Sequence, residues 1–391
     1  MSDAKVVITG MGVISAIGAG AEGFAEGLYS GKTAVAAGPP PTAAIPDFTP
    51  QTWLGSKGFK YFDRTARLLC VSSLMAIEKG GWKDDPAAAD DERLGLMYGT
   101  MYGSEHSITA FDWVAVTEGP SMVSPLEFPN TVISSPGGQA AIKHHLSGPN
   151  WTQCQGFASS LHSLQQASVF LKAGRAKALL AGGADEFSNE AVLGLQHMGL
   201  LGSEGSVKPF AKDSAGTVLG EGSALWMLET AEAANARGAA YAVEILGFGQ
   251  AQDDKTTAES GAAAIRGALK NAGISADQVG CIFASADGIP ALDSAEENAL
   301  REVFGESLSS IPACAPKAAL GETMGSAGVF AATAAALALE RQSVPPTAGY
   351  AGGGPLKLSA QSQPMQGKYA LVNAFSYDGN VMSMVLGLCQ K

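Results

Sequence analysis

The sequence predicts a layered α/β protein, and three observations carry that reading. Strand-like runs, VVITG (6–10), LGLMYGT (94–100), KALLAGG (177–183), SALWMLE (223–229), CIFASA (281–286) and YALVNAF (369–375), alternate with helical stretches. At 391 residues, 46% hydrophobic and 16% charged, the chain can fill a large core and has room for two or three domains. Finally, residues 1–239 and 240–391 carry a comparable order of strands and helices from Val6 onward, without a tandem repeat in the letters.

The elements can be taken in chain order. Five residues precede the first strand, so no signal or transit peptide is expected. Gly10, Gly12 and Gly18 lack the further glycine of a dinucleotide fingerprint, since Ser15 stands in its place, and they read as a turn. The Pro- and Ala-rich stretch from Ala34 to Pro50 reads as a surface loop, and the acidic stretch from Gly80 to Leu94 as a linker. From Gly148 to Gly183 the chain is built as a strand, an elbow and a helix. WTQC (151–154) has strand character, Gly156 permits a sharp turn, and Leu161, Leu164 and Leu171 share a helical face that Gly174 closes. The residue at the elbow is Phe157, beside unpaired amides that would depress a thiol pKa or stabilise an oxyanion. The apolar helix from Gly328 to Glu340 is too short to cross a bilayer and is expected in the core.

Composition narrows the function. A net charge of −12 and a pI of about 4.9 disfavour nucleic acid and anionic membrane surfaces as partners. Cysteines at 70, 154, 281, 314 and 389 follow no disulfide framework, which suggests reduced thiols and a cytoplasmic address. Cys154 is expected to point into the sheet as an inert structural thiol. His106, His144, His145, His162 and His197 show no ligand-type spacing, so each is read as structural and no metal is expected.

The blocks themselves point further. VVITGMGVISAIG (6–18), the elbow segment ending in Ala181-Gly182-Gly183, KPFAKDSAGTVLGEGSALWMLE (208–229), APKAALGETMGSAG (315–328) and NAFSYDGN (373–380) occur in that order. Together they resemble the motif series of the β-ketoacyl-ACP synthases. That resemblance implies the thiolase fold, duplicated α/β halves in five α-β-α-β-α layers, with one active site where the halves meet. It also implies a nucleophilic cysteine at the elbow and two histidines that polarise a malonyl thioester and assist its decarboxylation. Phe157 falls on the cysteine, Ser285 on the first histidine and Glu322 on the second. Lys317, Asp293 and Glu296 match the accompanying lysine and acidic residues, and Lys317 is expected in a buried ion pair with Glu296 or Glu322.

A ketosynthase-like chain without its reacting groups resembles the chain-length factor of type II polyketide synthases. The implied partner is an active ketosynthase, in a heterodimer or a heterotetramer. No cofactor is implied for this chain, because acyl chains reach the partner on the phosphopantetheine arm of an acyl carrier protein. The carrier is itself acidic and is expected to dock mainly on that partner. Phenylalanine at the elbow, where aromatic systems often carry glutamine, leans towards a polyene-making branch. The segment from Gly99 to Glu118 matches the family's interface helix and pocket wall. Tyr102, Ile108, Phe111 and Trp113 become tunnel candidates, with ordinary core packing as the alternative, and Thr131 matches a residue that reaches the neighbouring pocket. Two rival functions stand beside this one: a stand-alone malonyl-ACP decarboxylase or acyltransferase, and a structural homodimer.

Overall fold

A computed structural model of the protein describes residues 4–82, 94–202, 205–354, 356–365 and 367–389. Most of the stretch read as an acidic linker, residues 83–93, lies outside the described residues. The principal strands are β1 (Val6–Ser15), β2 (Leu94–Gly99), β3 (Asn150–Gln153), β4 (Ala178–Asp185), β5 (Gly222–Thr230), β6 (Val243–Gln252), β7 (Cys281–Phe283), β8 (Ala313–Cys314), β9 (Tyr369–Phe375) and β10 (Asn380–Leu388). The principal helices are α1 (Gly20–Tyr29), α2 (Arg64–Lys79), α3 (Glu105–Thr117), α4 (Ser135–Lys143), α5 (Ser159–Lys172), α6 (Asn189–His197), α7 (Ala258–Ala272), α8 (Pro290–Phe304) and α9 (Ala327–Arg341).

The duplication expected from the order of elements is explicit in the strand pairing. One set runs β1-β5-β4-β2-β3, the other β6-β10-β9-β7-β8. In each set the first two neighbour contacts are antiparallel and the next two parallel. Among the described residues, the sets pair edge to edge through Val6 opposite Ile245 and Val7 opposite Glu244. Between them lie α5 and α9, which pack on β4 and β9 respectively and on each other. Outside the first set sits α2, and outside the second α7 with α8 against it. This is the five-layer thiolase fold.

Local sequence accounts for each layer. Ala327 to Leu339 of α9 is wholly buried, as its lack of a polar face requires for a helix between two sheets. Its one polar side chain at mid-helix, Thr333, accepts the indole N–H of Trp226 at 3.0 Å, which joins α9 to β5 without an unpaired polar atom. Leu161, Leu164 and Leu171 of α5 are buried, and Gly174 at φ +66° ends that helix with its N–H on the Leu171 carbonyl.

Two expectations change. Gly10 and Gly12 form no turn: they lie within β1, where a Cβ on Gly12 would stand 1.9 Å from the Ser72 carbonyl of α2. They are glycine because α2 rests directly on the strand. The segment from Ala34 to Pro50 is exposed only in part. Thr42–Ala43 pairs in parallel with Leu219–Gly220, and the buried Ile45 donates its N–H to Glu221 at 2.7 Å.

Close approach at Gly12 predicts that G12A destabilises the protein by about 3 kcal/mol through overpacking. G194A, on an open face of α6 with nothing near its Cβ position, should instead stabilise it by about 0.5–1 kcal/mol. Urea unfolding of the two variants checks both signs.

Candidate functional site

The parallel strand β3 delivers the chain to Gly156, whose φ of +55° makes the elbow, and α5 begins three residues on. Phe157 therefore projects from the N-terminal side of an inner helix, and it is 1% exposed. Its ring meets Tyr377 edge-on, with centroids 5.4 Å apart, and packs among Met101, Leu195, Leu219, Leu292 and Met324. The Lys317 Nζ lies 5.3 Å from the ring centroid, a cation–π contact in a dry setting. The Phe157 backbone N–H donates to Ser376 Oγ at 3.0 Å.

The second half supplies the floor. Lys317, itself buried, pairs with Glu322 Oε2 at 2.5 Å and lies 3.5 Å from Asp287 Oδ2. Its Nζ also donates to Ser285 Oγ at 3.4 Å, and the same oxygen accepts the Phe375 N–H at 2.9 Å. Glu322 is pinned by the Met324 N–H on Oε1 at 2.7 Å. The expected pairing of Lys317 is thus with Glu322. The alternative, Glu296, instead accepts the Ser285 N–H at 3.0 Å and the Asn373 amide at 2.9 Å. Asp293 gathers the Phe210, Asp287 and Gly288 N–H groups, and so ties the 208–229 block to the loop that carries Ser285.

Glu322, Asp287 and Glu296 act on one ammonium, Asp293 adjoins Asp287, and all four acids are buried. Burial pushes the Glu296 carboxyl up to about 7. Burial raises Asp293 too, helped by the charge of Asp287, and raises Glu322 against the pull of Lys317. For Lys317, burial acts to release the proton, but the charges of Glu322 and Asp287 outweigh it and hold the ammonium above its ordinary range. The cation is kept, and the carboxylates that cannot share it are driven towards the neutral acid.

The structure brings Phe157, Ser285, Glu322, Lys317, Asp293 and Glu296 into one cluster. Tyr102 joins it through a hydroxyl contact with Tyr377. Ile108, Phe111, Trp113 and Thr131 lie elsewhere: Trp113 is exposed and the other three are half-buried. No residue of α3 is buried, which overturns core packing for these positions. Phe111 packs on Phe128 at 6.0 Å between ring centroids, Thr131 donates to the Phe128 carbonyl, and Trp113 is 68% exposed. Val116, Met122, Leu126, Phe128, Val132 and Ile133 extend this apolar surface.

Cys154 does not point into the sheet. It is exposed on the edge-strand side, with its thiol donating to the Met101 carbonyl at 3.0 Å. Desolvation, with the charges of Asp185 and Asp378, still raises its pKa, which opposes a displaced nucleophile. Burial pushes His162 down to about 4, and His144 contacts the Cys70 carbonyl at 2.9 Å. Sequence reasoning missed Asp287, Ser376 and Tyr377. The signal for the last two stood in NAFSYDGN, where the family motif NSFGFGG has glycine at the position of Ser376.

Among the described residues, the cluster holds neither a thiol nor an imidazole at positions 157, 285 and 322. Fold and site together define a protein of the condensing-enzyme fold with a buried phenyl ring at its elbow. The chain belongs to the beta-ketoacyl synthase family: residues 3–234 match "Beta-ketoacyl synthase, N-terminal domain" and residues 241–351 match "Beta-ketoacyl synthase, C-terminal domain". It is 26% identical to the 3-oxoacyl-[acyl-carrier-protein] synthase 2 of Vibrio cholerae over 98% of this chain and 99% of that protein. To the synthase 2 of Rhizobium meliloti it is 30% identical over 88% of each. Among solved structures it is similar to "The ishigamide ketosynthase/chain length factor", with TM-score 0.93, 26% identity and full coverage of both chains.

Acids with raised pKa values hold protons that the unfolded chain releases at about pH 4. The folded state therefore binds more protons up to about pH 8, and stability falls as pH rises through that window. The urea midpoint should be lower at pH 8.5 than at pH 5.5. K317M should cost about 3–5 kcal/mol at the higher pH, by leaving Glu322 and Asp287 without a counter-charge, and less at the lower.

Proposed function

We propose that this chain is the non-catalytic chain-length-factor subunit of a type II polyketide synthase, paired with an active ketosynthase. Its role is to shape the acyl tunnel during decarboxylative Claisen condensation of malonyl-ACP units. The observation that carries this reading is the buried Phe157 ring standing over the Lys317–Glu322 pair. A phenyl ring forms no thioester. A carboxylate at 322 repels both the malonate carboxylate and the enolate formed on decarboxylation, where the reaction needs a hydrogen-bond donor.

A partner is supported by the apolar surface of α3 and the turns after it, which a helix with no buried residue leaves uncovered. The edge strand β3 likewise carries the half-exposed Trp151. Similarity to the ishigamide ketosynthase/chain length factor supports the same kind of partner here. The Vibrio cholerae and Rhizobium meliloti relatives are named as synthases, and Phe157, Ser285 and Glu322 are what set this chain apart from condensing chemistry. Phenylalanine at the elbow supports the polyene-making, highly reducing branch. The carrier protein's acyl arm is then served mainly by the partner, and residues such as Phe111 and Trp113 bound the tunnel where the two chains meet.

Co-expression with an intact ketosynthase should give a one-to-one complex that condenses malonyl-ACP, while neither chain does so alone. Activity in the isolated chain, or no complex with any ketosynthase, contradicts the proposal. Within the complex, F111A or W113A should lengthen the products by one or more extension units, read by mass spectrometry. Unchanged product lengths count against the tunnel role of those two residues.

A further inference from the structure

We infer that Ser376 is a second block on this elbow, separate from the phenyl ring: its hydroxyl fills the place of the oxygen that the backbone N–H of residue 157 would otherwise stabilise. The inference rests on reading the elbow as a closed acyl-transfer site.

The geometry is specific. The Phe157 N–H points at Ser376 Oγ across 3.0 Å, and Ser376 is fully buried. The serine has little freedom to withdraw. Its N–H donates to the Asn380 carbonyl at 2.9 Å, and its carbonyl accepts the Thr256 hydroxyl and the Gly379 N–H. The hydroxyl reaches the elbow because residue 156 has no side chain, since a Cβ on Gly156 would stand 2.2 Å from Ser376 Oγ. Acyl transfer at an elbow develops negative charge on the carbonyl oxygen, and backbone N–H groups at the turn are the donors that stabilise it. An oxygen already lodged 3.0 Å from that N–H excludes the substrate oxygen from the same position. Removing the ring alone therefore leaves the donor capped.

The reaction that reads this out is simple. With F157C, the introduced thiolate attacks the carbonyl carbon of an acyl-CoA, and the electron pair moves to oxygen. The tetrahedral species then collapses, expelling the CoA thiolate, which takes its proton from water. Alkylation of the same thiol by iodoacetamide forms no oxyanion.

The test compares F157C, F157C/S376A and F157C/S376G in the purified full chain. Acylation by hexanoyl-CoA and alkylation by iodoacetamide are both followed by intact mass. The inference expects acylation about 10²-fold faster in the two double variants, with alkylation equal in all three within about twofold. Equal acylation rates overturn it, as does no acylation in any variant, or a gain matched by alkylation, which would mean only that space had opened. A second measurement does not depend on a folded F157C chain. Amide hydrogen exchange at Phe157 should speed up by at least about tenfold in S376A, and unchanged protection would equally count against the capping bond. Both measurements use the isolated chain, so failure to pair with a ketosynthase would leave their outcome unaffected.

Discussion

One ammonium group, that of Lys317, organises the centre of this protein. It is buried between a carboxylate at 2.5 Å, a second at 3.5 Å, a serine hydroxyl and the face of an aromatic ring. A buried charge is tolerated only when its neighbours compensate it, and here the neighbours include Phe157, Ser285 and Glu322, the positions that the motif resemblance matches to catalytic groups. Glu322 supplies the counter-charge, Ser285 an acceptor, and Phe157 an apolar roof whose π-face favours a cation. Removing either Lys317 or Glu322 leaves the other without its ion pair, so the contents of the site bear on the stability of the fold.

Duplication explains why these groups meet at all. Each half runs its strands in the same order, and each sends an inner helix between the sheets. Phe157 stands just before α5 in the first half, while Lys317 and Glu322 stand between β8 and α9 in the second. The helices pack on one another, so the residues ahead of them converge. A site built this way needs both halves, and its contents can change without altering the layers.

Much of this was legible in the letters. Counting back from Ala181-Gly182-Gly183 gave Phe157 its position, because the strand, elbow and helix are local and their lengths are constrained by the sheet. The pair between Lys317 and Glu322 was anticipated as one of two choices, since a lysine in a buried block needs a carboxylate. The choice between Glu322 and Glu296 was beyond the sequence, because it depends on which acid the backbone amides of Ser285 and Met324 capture. Cys154 was misplaced for a related reason: strand alternation says which residues share a face, while β3 lies at the sheet's edge, where that face meets solvent. Gly10 and Gly12 read as a turn because the approach of α2 is a tertiary fact. Ser376 was visible only as a departure from glycine in a motif, and its meaning appeared once its hydroxyl was found on the Phe157 amide.

The central claim is that this chain contributes shape and the partner contributes the covalent chemistry. It is tested most directly by quenching the reconstituted complex during turnover and weighing both chains intact. The account predicts acyl adducts of increasing mass on the partner ketosynthase and none on this polypeptide. An acyl intermediate trapped on this chain, at Cys154 or at any other residue, would contradict it.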